Sequence, residues 1–92
     1  MKAKEIKKDD ILDLKFPDND VLESDIKRSS RWLTLKKSSH GWNQPKSEKK
    51  IIFKSKKQGI LSVVSSVLKT QSEYVILSGG YVLPMRSIYE VH

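Results

Sequence analysis

Apolar residues gather along this chain into short runs separated by polar turns, at Ile11–Phe16, Ile51–Phe53, Ile60–Leu68, Tyr74–Leu77 and Tyr81–Leu83. In Ile11–Phe16, Leu12, Leu14 and Phe16 alternate with Asp13 and Lys15, the pattern of a half-buried strand. Pro17-Asp18-Asn19-Asp20 supplies turn chemistry that ends it. Val21–Ser30 fits both a short helix and a second strand, and Arg31–Lys36 alternates again and predicts a strand. Ser38–Ser47 reads as a loop, and Lys49–Lys54 as a short strand followed by a basic connection closed at Gly59. Ile60–Lys69 fits helix or strand by spacing, but its three valines, isoleucine and serines favour a long strand. Glu73–Leu77 and Tyr81–Leu83 flank Ser78-Gly79-Gly80, a hairpin signal because the tight primed turns need positive φ. Pro84–Ser87 predicts one 3₁₀ turn, and Ile88–Val91 a last strand.

Five to seven short strands within 92 residues predict one all-β domain, or a β-rich α+β domain with one short helix, spanning residues 1–92. A small barrel or sandwich satisfies this pattern, and a barrel removes exposed strand edges by closure. The core of so short a chain is thin. With 37% hydrophobic residues grouped in runs, the composition is that of a folded chain.

The chain has no cysteine, so disulfides and thiolate metal sites are excluded, and a reducing, cytoplasmic setting is expected. Its start, Met1-Lys2-Ala3-Lys4-Glu5, leads into no signal-peptide-like apolar stretch. No apolar run approaches the roughly 20 residues of a membrane-spanning helix, so no membrane partner is expected. His40 and His92 have no ligand spacing around them, and neither a metal nor another cofactor is expected.

Charge changes the picture most. Residues 1–26 carry five lysines against eight acids, a net −3. Residues 27–69 carry twelve basic residues against Glu48 alone, a net +11. Residues 70–92 carry Arg86 against Glu73 and Glu90, a net −1. A cationic segment this concentrated repels itself, and a polyanion relieves that repulsion. A solvated lysine surface that maintains solubility has the same composition.

The ending Gly79-Gly80-Tyr81-Val82-Leu83-Pro84-Met85-Arg86-Ser87-Ile88-Tyr89-Glu90-Val91 resembles that of SH3-like small barrels, in which a strand, a proline, one 3₁₀ turn and a short strand close the fold. The resemblance implies a barrel of five to seven strands. It does not bring peptide-groove function, since no acidic cluster with paired aromatics is present. Asp10-Ile11-Leu12-Asp13-Leu14-Lys15-Phe16-Pro17 is similar to the opening strand of barrel-type mRNA-interferase toxins. Those show a Gly-Asp-Ile-Val start and a later Arg-Pro pair; here Asp9 precedes Asp10, and Trp32 follows Arg31. That resemblance implies an RNA-cleaving reading in which Arg28, Arg31 and His40 serve.

The residues themselves point to binding rather than catalysis, since no nucleophile–histidine–acid order or phosphate-cradling glycine loop stands out. With Arg31–Lys37 and Lys49–Lys54 as neighbouring strands, Lys36, Lys37, Lys46, Lys49 and Lys50 ring a hairpin mouth. His40, Trp42, Asn43 and Gln44 then sit at its tip. Lysines clamp phosphates, an indole stacks on bases and amides read base edges. Lys27, Arg28, Arg31, Lys54, Lys56 and Lys57 extend this set into a groove for a DNA or RNA backbone. The alternatives are that Trp42 anchors its loop on the core, or that the same charge docks an acidic protein, as in a phage or mobile-element regulator. The acidic residues of 1–26, among them Asp18 and Asp20, are candidates to pair with the basic stripe or to shield it.

Overall fold

The longest regular pairing is an antiparallel hairpin of β2 (Lys49–Ser55) and β3 (Gly59–Ser65), in register from Lys49 opposite Ser65 to Ser55 opposite Gly59. This is a computed structural model, and it describes residues 2–39 and 47–92. The hairpin turns on Gly59 at φ +77°, while the Ser55 hydroxyl accepts the Gln58 N–H at 2.7 Å. Ile51, Phe53 and Ser55 point inward with Leu61, Val63 and Ser65, and all are buried. β1 (Lys4–Glu5) adds in parallel to β3, and β7 (Ile88–Val91) pairs antiparallel with β2, giving the order β1-β3-β2-β7.

The expected long strand at Ile60–Lys69 is present, broken at Ser66. There the chain leaves the first sheet and continues as β4 (Val67–Thr70) in a second. β5 (Tyr74–Leu77) and β6 (Val82–Pro84) complete this three-stranded antiparallel sheet. Gly79 and Gly80, at φ +89° and +85°, form the turn before β6, and a 3₁₀ turn at Met85–Ser87 leads into β7. From residue 49 onward the elements are thus those the pattern predicts. Val67, Val75, Leu77, Leu83, Met85 and Ile88 join the inner residues of β2 and β3 in one apolar core. Among the described residues the two sheets share this core without joining into a closed barrel, so the architecture is β-rich α+β.

The N-terminal half differs from its pattern in two places. The strand expected at Ile11–Phe16 is a 3₁₀ helix over Lys8–Asp13 followed by extended chain. The Asp10 carboxylate accepts the Lys7 N–H at 3.2 Å, a local bond that competes with strand pairing. Ile11 is buried and Leu12 exposed, while Phe16 packs its ring 6.2 Å from that of Phe53.

The strand expected at Arg31–Lys36 and the second part of the ambiguous stretch, Asp25–Ser30, form α1 (Asp25–Ser39), which also takes in Ser38 and Ser39, the start of the expected loop. Its signals were at the ends. Ser24 accepts the Lys27 N–H through its hydroxyl, Asp25 lies in the first turn, and Lys36 and Lys37 lie in the last, each matching the helix dipole. Thr34 and Ser38 return their hydroxyls to the carbonyls of Ser30 and Thr34, so these poor helix formers leave no donor unmade. The helix buries Arg31 and Leu35, four residues apart, and packs against β4 and β7. Leu33 and Ile26 instead face solvent, Ile26 with 82% of its surface exposed.

Candidate nucleic-acid interface

β2 sorts its lysines by the period of two. Lys50 and Lys54 project from the face opposite to Phe53, about 13 Å apart at the strand's rise of roughly 3.3 Å per residue. Between them lies Ile52, in register with Ser62, while Val64 stands opposite Lys50 and Ile60 opposite Lys54. Lys57 adds an exposed ammonium at the hairpin turn. Lys49 shares the parity of the inward residues and is half-buried at the strand's start. Among the described residues no carboxylate lies within ion-pair distance of Lys49, Lys50, Lys54 or Lys57. Glu5 and Glu90 lie on the same sheet beside Ser62 and Ile52, and the Glu90 carboxylate holds the His92 ring at 2.9 Å.

The helix places its cations elsewhere. α1 contributes Leu35 to the core, on the side of the sheet away from which Lys50 and Lys54 point. Lys27 near the start of α1 and Lys36 and Lys37 near its end are thus carried by the helix and not by the hairpin, with the Lys36 ammonium 5.7 Å from the centre of the Trp32 ring. The hairpin mouth that the sequence pattern implied does not form, because residues 31–37 are helical rather than a strand beside β2. His40, Trp42, Asn43, Gln44 and Lys46 lie outside the described residues.

Three members of the expected cationic set are engaged by the acidic segment. Arg31 is 7% exposed. Its guanidinium grips both oxygens of Asp20 at 2.8 and 2.7 Å and donates to the Ile88 carbonyl at 2.9 Å. It joins the loop before α1 to the helix and to β7 and is removed from the surface set. Arg28 lies 3.7 Å from Asp20 and donates to the Leu22 carbonyl, and Lys56 lies 3.4 Å from Asp18. Intramolecular pairing of the acidic segment with basic residues is thus realised at these positions. Asp20 was legible as an acid near a turn; its pairing depends on the helix the pattern missed.

Burial alone pushes the Asp20 carboxyl up. The hydrogen bond from Arg31, the Leu22 N–H and the charges of Arg31 and Arg28 outweigh it and hold the group below the usual aspartate value. The Tyr81 hydroxyl shifts up, because it hydrogen-bonds the Asp9 carboxylate.

Among the described residues no group of histidine and acidic side chains could hold a metal ion, and no helix is long and apolar enough to cross a membrane. Set against protein-family models, curated proteins and solved structures, this chain matches none of them.

Proposed function

We propose that this chain binds nucleic acid without cleaving it, through the outward face of the β2–β3 hairpin. The observation that carries this reading is the row Lys50, Lys54 and Lys57, exposed lysines on one hairpin with no carboxylate within ion-pair distance among the described residues. Ammoniums placed this way meet phosphates electrostatically, and binding of this kind is largely independent of base sequence. Ile60 and Val64, cross-strand from Lys54 and Lys50, give the face apolar surface for sugars or bases. Arg28 and Arg31, which an RNA-cleaving reading would use, are held by Asp20, and this favours binding over cleavage.

The fold reads as SH3-like in an open form. Three features support this: the strand, 3₁₀ turn and strand at Val82–Val91, the return of β7 to β2, and one chain segment bent at Ser66 to serve both sheets.

Fluorescence anisotropy of labelled duplex and single-stranded oligonucleotides across a salt series tests the proposal. Three phosphate contacts on duplex DNA predict a slope of log K against log salt near −2.7, at about −0.9 per contact. Absence of binding above background at low salt ends this reading.

A further inference from the structure

β7 is an edge strand of the first sheet, and part of its main chain has no partner. Lys50 and His92 exchange two backbone bonds, both 2.9 Å, so by antiparallel alternation Glu90 faces β2 and Val91 turns its N–H and C=O away from it. The register shift between Ile52 and Phe53 leaves Tyr89 as an extra residue in β7. The Tyr89 carbonyl lies trans to the Glu90 N–H across their peptide bond, so it also points away from β2. The Ile88 carbonyl is taken by the Arg31 guanidinium at 2.9 Å. Among the described residues no group bonds the Tyr89 carbonyl or the N–H and C=O of Val91. Beside this edge runs a groove of about 770 Å³, whose other walls are the segment Val21–Ser24 and the Lys27, Ser30 and Thr34 face of α1. β1, at the opposite edge of the sheet, spans two residues, the short length by which proteins blunt an edge.

We infer that this groove takes up an extended peptide segment of a partner protein, which adds to β7 as a further strand of the first sheet. The edge itself selects the occupant. Two carbonyl acceptors and one N–H donor, spaced along extended backbone, are matched by the main chain of another strand. Phosphates carry no donor for the carbonyls, so a nucleic-acid backbone does not satisfy this edge. The Arg31 bond to Ile88 closes the edge at one end, and pairing starts at Tyr89. The guest follows the alternation of β7. A guest residue opposite Val91 points to the inner side with Val91 and Ile51, and in a groove that Val21 and Leu22 also line it favours an apolar side chain. One opposite Glu90, which is exposed, points outward to water. Main-chain bonds supply the affinity, and the alternating side chains supply the selectivity.

Selection of displayed random octapeptides on the whole chain, followed by titration of labelled synthetic copies, tests this. Peptides that alternate apolar and polar residues are expected, and they should bind equally well when Lys50, Lys54 and Lys57 are replaced by Gln. V91P removes the outward N–H and leaves the β2–β7 ladder its bonds. Checked for folding by circular dichroism, it is expected to weaken binding at least about tenfold. N-methylation of the peptide is a readout independent of that variant. Methylating the alternate amides that face β7 is expected to abolish binding, and methylating the other set to spare it. In the wild-type chain the Val91 amide is expected to exchange more slowly once peptide is bound. Failure to select any peptide, equal binding by folded V91P, equal effects of the two methylation patterns, or loss of binding with the three lysines overturns the inference.

Discussion

The two sheets of this protein share an inner chemistry and differ in their outer one. Inside, Phe53 and Val63 of one meet Val75 and Leu83 of the other in a single apolar core. Outside, the β2–β3 hairpin shows Lys50 and Lys54, and the β5–β6 pair shows Tyr74 and Val82. Burial constrains the inner faces alike, because either sheet alone leaves its apolar side in water. The outer faces are under that demand only in part, with Ile52 and Ser62 buried but Lys50, Lys54, Tyr74 and Val82 exposed, so their divergence is where function is legible. Phe53→Ala should have the largest effect. A fully buried aromatic lost from so small a core costs about 3–5 kcal/mol, a large part of a small domain's stability. Both sheets should melt together in urea. Amide protection surviving in β4–β6 alone would break the premise that the sheets are one unit.

The clamp that ties α1 to this unit comes next. Asp20→Asn leaves the buried Arg31 guanidinium without its counter-charge and should cost roughly 2–4 kcal/mol, toward the lower range for broken buried pairs because Asp20 keeps some contact with water. Its pH signature has a definite sign. The folded Asp20 value lies below the unfolded one, so the pair's contribution is fully present above the ordinary aspartate value. It is lost as pH falls through the folded value. The wild-type chain should therefore lose more stability on acidification below pH about 4 than Asp20→Asn does, as urea midpoints at several pH values would measure. Equal slopes would sink the assignment.

Legibility follows the same division. β2, β3, β5, β6 and β7 could be read from the sequence because each has strand propensity and local punctuation at Gly59, Gly79-Gly80 and Pro84. α1 was obscured because Leu33–Lys36 alternates apolar and polar residues by coincidence, although the adjacent Trp32 and Leu33 break the period of two. Leu33 faces solvent, and the buried positions, Arg31 and Leu35, include a charge. A period count cannot register a core-facing arginine as inward until its partner Asp20 is known. β1 has two residues and no apolar signature, so only its parallel pairing with β3 reveals it. The lysines were visible by composition, but their division between β2 and α1 depended on the missed helix.

The outer face of the first sheet gives a smaller effect, confined to binding. Substituting Lys50, Lys54 and Lys57 together by Gln should lower the salt slope of nucleic-acid affinity by about 2.7 and weaken binding to all sequences alike. The same substitution in Lys27, Lys36 and Lys37 should leave the slope nearly unchanged. A reversed outcome would move the interface from the hairpin to the helix.

The smallest expected effect separates the two outer faces from the core most sharply. Val82→Glu and Lys54→Gln should each shift unfolding free energy by no more than about 0.5 kcal/mol, the usual scale for exposed positions. Val82 touches water and loses little by gaining a charge there, while its inward neighbour Leu83 is fully buried. Leu83→Ala, by contrast, should cost about 2–5 kcal/mol. If Val82→Glu approached that figure, the apolar outer face of β5–β6 would be needed to hold the fold itself. The two sheets would then differ in how they are stabilised as well as in the chemistry of their outer faces.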